Sequence, residues 1–236
     1  MIGFQQMVSF LAILVLGFFL GMRHATDPDH VIAITTIVTR QRGISKAGLI
    51  GVLWGLGHTF TIFIVGAAII LLKVEIPPRA GLTMELAVGV MLIVLGILNL
   101  TGALSWFQQK FGGQTSSEKL GSYNTWRPLL IGVVHGLAGS AAVALLVMAT
   151  INNPWWATAY LLIFGTGTIA GMMLITSAIA VSLNFASAKA SNKFAGWNRG
   201  MGIASGVLSM AFGLFLSYQI GFVNGLFTSH PQWTPR

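Results

Sequence analysis

The chain has 236 residues, of which 55% are hydrophobic and only 8% are charged, whereas a soluble domain typically carries about 25% charged residues. The mean hydropathy of +0.80 and the long apolar runs exclude a soluble globular domain and predict an all-α, polytopic membrane bundle built as one domain. The net charge of +8 does not indicate nucleic-acid binding, because the basic residues lie in short loops beside apolar spans, where they orient helices and meet anionic lipid.

The first apolar run, over about 4–22, is long enough to cross a membrane. The residues before it lack a basic region, and no small-residue cleavage site follows, so we expect a retained helix rather than a signal peptide. Cysteine is absent from the chain, which excludes disulfides and thiolate metal sites.

An unusually polar stretch follows this run: Arg23-His24-Ala25-Thr26-Asp27-Pro28-Asp29-His30. It holds two of the five histidines and two of the five acidic residues in the chain. Ionisable groups at membrane depth cost about 2.5–3.5 kcal/mol each on insertion scales. Several of them together, between apolar segments, therefore indicate a functional site.

The second helix is predicted to be short or broken. Asp27 is a favourable N-cap residue and Pro28 a favourable first helical residue. A helix over 28–39 would be only about 18 Å long, which is short of the roughly 30 Å hydrocarbon core. Irregular backbone at this depth is tolerated where it is buried in protein or lines a cavity.

Five further spans are predicted over 47–72, 82–104, 129–151, 155–183 and 201–223, which makes about seven in all. The segments 40–46, 105–127 and 184–200 carry three basic residues each, nine of the thirteen in the chain. The excess of basic residues places these three loops in the cytoplasm. The N-terminus is then expected inside and the C-terminus outside, if the short second helix crosses the membrane.

Pairs of glycines four residues apart recur along the spans and predict close helix packing in lipid. They are Gly17 and Gly21, Gly51 and Gly55, Gly132 and Gly136, Gly167 and Gly171, and Gly202 and Gly206. Residues 51–56 and 132–137 are weakly similar. Because the predicted topology has both segments running outwards, the similarity suggests a parallel rather than an inverted repeat.

The polar stretch has the composition of a divalent metal site. In a continuous helix His24, Asp27 and His30 would drift across one broad face, and a break at Pro28 could instead bring His24 towards Asp29. Either way two imidazoles and at least one carboxylate converge, which suits Ni, Co, Zn or Fe(II). The alternative is that Arg23 pairs with the aspartates and the stretch only caps a helix.

Two more histidines lie inside spans. Glycine spacing places His58 and His135 on inward faces. A single intramembrane histidine is often only an interhelical hydrogen bond, but four on inward faces favour a common role, whereas His230 lies in the polar tail. Polar residues that could line a transport path are Arg23, Thr26, Thr59 and Ser140.

Arg-His-Ala-Thr-Asp-Pro-Asp-His, with its His-x4-Asp-His spacing, resembles the signature of the nickel/cobalt transporter (NiCoT) family. Leu56-Gly57-His58-Thr59 is similar to a second motif of that family, and the two together cover the N-terminal third of the chain. The resemblance implies uptake of Ni(II) or Co(II) across the cytoplasmic membrane of a prokaryote, with His24, Asp29 and His30 handling the ion.

The later part of the chain departs from that family. Familiar members carry an acidic Phe-Asp-Thr motif in the fifth span, where this chain has His135 to Ser140 without a carboxylate. The chain also has one predicted span fewer than is usual. It resembles a short, divergent branch labelled urease-accessory or nickel-transporter-like, which leaves the metal and the direction of transport open.

We therefore predict a secondary transporter, not an enzyme, that needs no cofactor and moves a divalent ion inwards. The predicted metal residues are His24, Asp27, Asp29, His30, His58 and His135. Neutral imidazole ligands make binding pH-dependent because protons compete for them. Partner proteins and the oligomeric state are not indicated by the sequence.

The sequence leaves two alternative functions to consider. A metal exporter of the same fold would have the same residues, since sequence alone does not set direction. An intramembrane hydrolase using Ser140 and His135 is disfavoured, because residues five apart on a helix face poorly and no His-Glu-x-x-His motif is present.

Overall fold

The computed structural model describes residues 2–39, 43–72, 77–102, 122–137, 150–151, 153–189 and 194–233. Within these ranges the chain is helical, with seven α-helices and a final π-helical turn. The helices are α1 (Ile2–His24), α2 (Pro28–Val38), α3 (Ile44–Leu72), α4 (Pro78–Thr101), α5 (Ser122–Gly136), α6 (Pro154–Lys189) and α7 (Phe194–Tyr218), and the π-helix is Gln219–Val223.

The predicted helical membrane bundle is confirmed. Four helices of the described part, α3, α4, α6 and α7, are each long and apolar enough to span a membrane. Helices α1 and α2 meet the same test only together, as a pair bent by 56°. The predicted fifth span begins in α5 and continues into residues outside the described ranges, so the described residues supply four or five of the seven predicted spans.

The break between α1 and α2 lies where the sequence predicts it. Residues 25–27 form a hydrogen-bonded turn in which the Asp27 N–H donates to the His24 carbonyl at 3.1 Å. Asp27 is the N-cap of α2 and Pro28 its first residue. The proline ring is compatible with this position and incompatible with a continuous helix, because it would clash with the carbonyl four residues earlier, that of His24.

Helix directions follow from the close contacts at glycines. Residues 17 and 21 of α1 lie against 160 and 164 of α6, so these two helices are parallel. Residues 51 and 55 of α3 lie against 172 and 169, so α3 is antiparallel to α6. Residues 132 and 136 of α5 lie against 54 and 58 of α3, which makes α3 and α5 parallel, and the contacts of 89 and 96 with 213 and 206 make α4 and α7 antiparallel.

These directions correct one feature of the predicted scheme, the relative direction of α1 and α3. The scheme has the first and third spans both running outwards, if the short second helix crosses the membrane. In the structure α1 and α3 run in opposite directions, because α1 packs parallel to α6 and α3 antiparallel to it. Helices α1 and α2 pass the length and hydropathy test for a span only as a bent pair.

Two loop boundaries also differ from the prediction. The loop expected over 184–200 is narrower, because 184–189 continue α6 and 194–199 begin α7. Residues 122–127 of the loop expected over 105–127 form the start of α5, and 103–121 lie outside the described ranges. Polar residues at helix ends extend a helix beyond the apolar run, so a hydropathy boundary falls short of the structural one.

The buried core divides into two apolar clusters. The first gathers residues from α2, α3, α4 and α6, including Ile34, Val38 and Trp54. The second gathers residues from α3 and α6, including Ile62, Tyr160 and Phe164. Outer helix faces expose large apolar side chains such as Phe19 and Phe60, each 61% exposed, as expected of surfaces that meet lipid.

Candidate metal centre

Four histidines meet at the break between α1 and α2. His24 is the last residue of α1 and His30 lies in the first turn of α2, while His58 lies halfway along α3 and His135 in the last turn of α5. His24 is 6% exposed and the other three are fully buried. The structure therefore brings together all four of the intramembrane histidines that the sequence singles out.

His30 occupies the middle of this group. Its ring centroid lies 4.7 Å from that of His24, 5.0 Å from that of His58 and 4.2 Å from that of His135. The Nε2 atoms of His24 and His58 are 2.9 Å apart, so one imidazole donates a hydrogen bond to the other. The rings are close enough for their nitrogens to share one ion.

Both aspartates of the motif are hydrogen-bonded to these rings. The Asp27 carboxylate accepts a hydrogen bond from Nδ1 of His24 at 2.8 Å. The two oxygens of Asp29 lie 3.1 Å from Nδ1 of His30 and 3.0 Å from Nε2 of His135. Asp29 thus joins α2 to α5, and it also accepts the backbone N–H of His30 at 3.0 Å.

Pairing of Arg23 with the aspartates does not occur in this structure. Arg23 is exposed at the end of α1, and the ion pairs that Asp27 and Asp29 form are with histidines. Asp27 also makes no side-chain cap to α2. Helix capping alone therefore does not account for the two carboxylates.

Three of the imidazoles keep a buried nitrogen without a hydrogen-bond partner among the described residues. These atoms are Nε2 of His30, Nδ1 of His58 and Nδ1 of His135. A buried polar atom without a partner normally costs about 1–3 kcal/mol. Several at one place indicate a site whose partner is a ligand.

Two overlapping trios have the spacing needed to hold a metal ion. One is His24, His30 and His58, and the other is Asp29, His30 and His135, with one possible ligand atom from each residue lying within 4.8 Å of the others. Both trios include His30. Nitrogen and oxygen donors of this kind suit Ni(II), Co(II), Zn(II) or Fe(II).

Trp54 forms one wall of the cluster, a role that the sequence analysis does not identify. Its ring stacks on His30 with centroids 5.9 Å apart and meets His135 edge-on at 5.4 Å. The residue is fully buried, and its indole Nε1 has no hydrogen-bond partner among the described residues. Trp54 lies one turn before His58 on α3, and in the sequence only this spacing indicates that the two side chains lie on the same face of the helix.

The predicted path residues lie around the cluster rather than in it. Thr26 is exposed and its hydroxyl donates to the Arg23 carbonyl at 2.6 Å. The Thr59 hydroxyl points towards the Gly165 carbonyl, 3.4 Å away. Ser140 lies outside the described residues, and His230 is exposed in the C-terminal tail.

Comparison with known proteins gives matches over most of the chain. Residues 10–120 match the sequence profile of the NicO family, described as high-affinity nickel-transport protein. The chain is 37% identical over 231 residues to the urease accessory protein UreH of Bacillus sp. (strain TB-90), covering 94% of this chain and 98% of that protein.

More distant similarity reaches two Arabidopsis thaliana proteins. These are the chloroplast proteins FOR GROWTH AND FERTILITY 2 and 1, each 26% identical, over 66% and 69% of this chain. The aligned regions span 44% and 48% of their lengths. No solved structure matches the chain.

Proposed function

This chain belongs to the NicO family of nickel-transport proteins, and from that premise we propose that it is a secondary transporter that carries Ni(II) or Co(II) into the cytoplasm through the buried His/Asp cluster. The family is one of transporters rather than enzymes. We place the protein in the cytoplasmic membrane of a prokaryote, as one membrane domain, and its Bacillus relative supports that location.

One observation carries the proposal: four buried imidazoles and two carboxylates converge where a membrane helix is interrupted. Discontinuous helices near the middle of the bilayer form the substrate sites of many secondary transporters. His58 is the midpoint of α3, which supports the same depth here. The donor set suits a divalent transition metal far better than Mg²⁺ or Ca²⁺, which prefer oxygen ligands.

We further propose that the N-terminus lies outside the cell. The basic loops place the 40–46 end of α3 in the cytoplasm. Helix α1 runs opposite to α3, so it begins on the outer side when the bent pair of α1 and α2 is taken as one crossing. All the remaining helix directions fit this scheme, with the C-terminus outside as well.

Inward movement of a divalent cation needs no bound nucleotide. A membrane potential of 100 mV, negative inside, favours entry of two charges by about 4.6 kcal/mol. This supports import over the alternative, export by the same fold, which would have to work against that potential.

Metal tolerance separates import from export. Cells that express an importer accumulate radioactive nickel or cobalt and become more sensitive to either metal, whereas cells that express an exporter accumulate less and become more resistant. We expect accumulation and sensitivity. Unchanged accumulation of every metal in a panel of Ni(II), Co(II), Zn(II) and Fe(II) would contradict transport of these ions altogether.

A further inference from the structure

We propose that the transported ion is bound by three imidazoles, those of His24, His30 and His58, and that Asp27 and Asp29 do not touch it but fix the tautomers of the rings that do. This inference rests on the proposed function. It assigns one of the two overlapping trios as the binding site, and it makes the two aspartates of the motif positioning residues.

Asp27 sets the tautomer of His24. Its carboxylate lies 2.8 Å from Nδ1 of that ring, so the proton of a neutral imidazole resides on Nδ1. The lone pair is then on Nε2, which lies 2.9 Å from Nε2 of His58 and faces into the cluster. A carboxylate behind a metal-binding histidine normally has this effect and raises the basicity of the ligand.

Asp29 does the same for His30. Its Oδ1 lies 3.1 Å from Nδ1 of the ring, and Nε2 is left buried without a partner among the described residues. Both rings of the motif therefore present Nε2 as a lone pair, each held from behind by its own aspartate. The repeated arrangement explains why each histidine of the motif is accompanied by an acidic residue close in sequence.

The third ligand, His58, lies at a distance from His24 that one ion can bridge by binding both Nε2 atoms. Metal–nitrogen bonds of about 2.0–2.1 Å meeting at a right angle place two nitrogens about 2.9 Å apart, which equals the observed Nε2–Nε2 separation of 2.9 Å. The ion can therefore take the place of the shared proton with little ring movement. That proton belongs to Nε2 of His58 and moves to Nδ1 of the same ring, a buried nitrogen without a partner among the described residues, so the imidazole stays neutral.

The other trio is less suited to bind the ion. Asp29 accepts hydrogen bonds from His30 and His135 at 3.1 and 3.0 Å. An ion bound by the two nitrogens that make these hydrogen bonds would have to break both bonds and move both protons to the other ring nitrogens. Binding by His24, His30 and His58 breaks one hydrogen bond, moves one proton and leaves the carboxylate contacts in place.

Counting the imidazoles on the ion tests this assignment. The full-length protein, purified in detergent and loaded with Ni(II), is examined by X-ray absorption, in which each bound imidazole contributes a multiple-scattering signal. We expect three imidazoles in the wild type, two in His58→Gln and three in His135→Gln. His230→Gln, in the exposed tail, is the matched control and should retain three.

The opposite pattern would overturn the assignment. Two imidazoles in the wild type, with a loss in His135→Gln and none in His58→Gln, would identify the Asp29 trio as the site. A loss in both variants would indicate one composite site and would equally contradict the proposal. If the wild type binds no Ni(II) at all, the proposed transport function fails, and that outcome is distinct from either of these.

The Ni(II) affinity and the imidazole count of Asp29→Asn test the role of Asp29 separately. Asp29→Asn should keep three imidazoles on the ion while weakening Ni(II) binding about 10–100-fold, the usual cost of losing a partner behind a metal ligand. A change in the imidazole count, or unchanged affinity, would show that Asp29 does not act through His30. Titration of the same detergent-purified protein with Ni(II) measures the affinity.

Discussion

Asp27 occupies the N-cap position of α2, but its carboxylate does not bond the free N–H groups of that helix. The carboxylate turns back to Nδ1 of His24 at 2.8 Å, and the side chain is 38% exposed. Aspartate is favoured at an N-cap because its backbone adopts the required conformation and because its side chain can accept a backbone N–H of the first turn. Here the backbone starts the helix while the side chain holds an imidazole.

Asp27→Asn separates these two roles. Asparagine is as good an N-cap as aspartate, so the thermal stability of the protein should change little. The amide is a weaker acceptor than a carboxylate for Nδ1 of His24, so Ni(II) affinity should fall about 10–100-fold. Thermal unfolding and Ni(II) titration of the purified protein check both expectations, and a loss of stability with normal affinity would mean that Asp27 is only a cap.

At the level of residues the sequence predicted most of the cluster. The cost of ionisable groups at membrane depth is enough to single out His24, His30 and the two aspartates. The partners of each carboxylate could not be predicted, because they depend on the angle between α1 and α2. The stacking of Trp54 on His30 could not be predicted either, because it joins side chains of α3 and α2 and leaves no local pattern in the sequence.

Helices α3 and α5 carry His58 and His135, and glycine sets their separation. A Cβ on Gly132 would overlap the Trp54 carbonyl, and one on Gly136 would lie against the His58 backbone. Small residues allow such backbone contact in membranes. This close approach positions the end of α5 beside the cluster, where His135 reaches Asp29.

Gly132→Ala should therefore disturb the site from a distance. One added methyl group pushes α5 away from α3, and overpacking of this kind costs about 1–3 kcal/mol. We expect a lower melting temperature and weaker Ni(II) binding. Gly202→Ala is the control, because no described atom lies within 4 Å of a Cβ at that position, and it should leave both quantities unchanged or slightly improved.

The glycine pattern predicted well where helices pack closely, but it did not predict which helix packs against which. Four of the five pairs have both members in close helix contacts, and only Gly202 of the fifth faces open space among the described residues. The glycine spacing predicted an inward-facing His58, and His58 is fully buried, but it does not contact the same helix as the glycines of α3. The two glycines pack on α6, while His58 turns towards α1 and α2.

Across the whole molecule, the bend between α1 and α2 decides the topology. The predicted scheme treated each apolar run as one crossing, and a count of loop charges cannot show whether a short helix crosses alone. Packing of α1 parallel to α6 and of α3 antiparallel to it resolves the chain direction. The predicted scheme also has α3 and α5 running the same way, and their contacts agree with that.

Single cysteines test the proposed orientation, and the chain has no cysteine of its own. A membrane-impermeant maleimide on intact cells should label Ile2→Cys and Ser229→Cys, which lie on the outer side. Gly43→Cys should react only after permeabilisation. If Ile2→Cys, like Gly43→Cys, reacts only after permeabilisation, the N-terminus lies in the cytoplasm and the proposed orientation is wrong.

The proposed metal centre lies between the two apolar clusters of the bundle. Trp54 and Ile34 belong to the cluster towards the Ile44 end of α3, and Ile62 and Tyr160 to the cluster towards its Leu72 end. His58, between them, is fully buried. An ion bound here would be closed off along the length of α3, so release to either side in the proposed transporter would require these apolar contacts to separate, as in alternating access.

The most direct test of the account is nickel accumulation in cells that express His30→Ala, because His30 is the one residue common to both trios. His230→Ala, at the exposed tail histidine, is the matched control. With equal protein in the membrane, we expect accumulation to fall to the level of cells without the transporter in His30→Ala and to stay at the wild-type level in His230→Ala. Wild-type accumulation by His30→Ala would contradict transport through the His/Asp cluster.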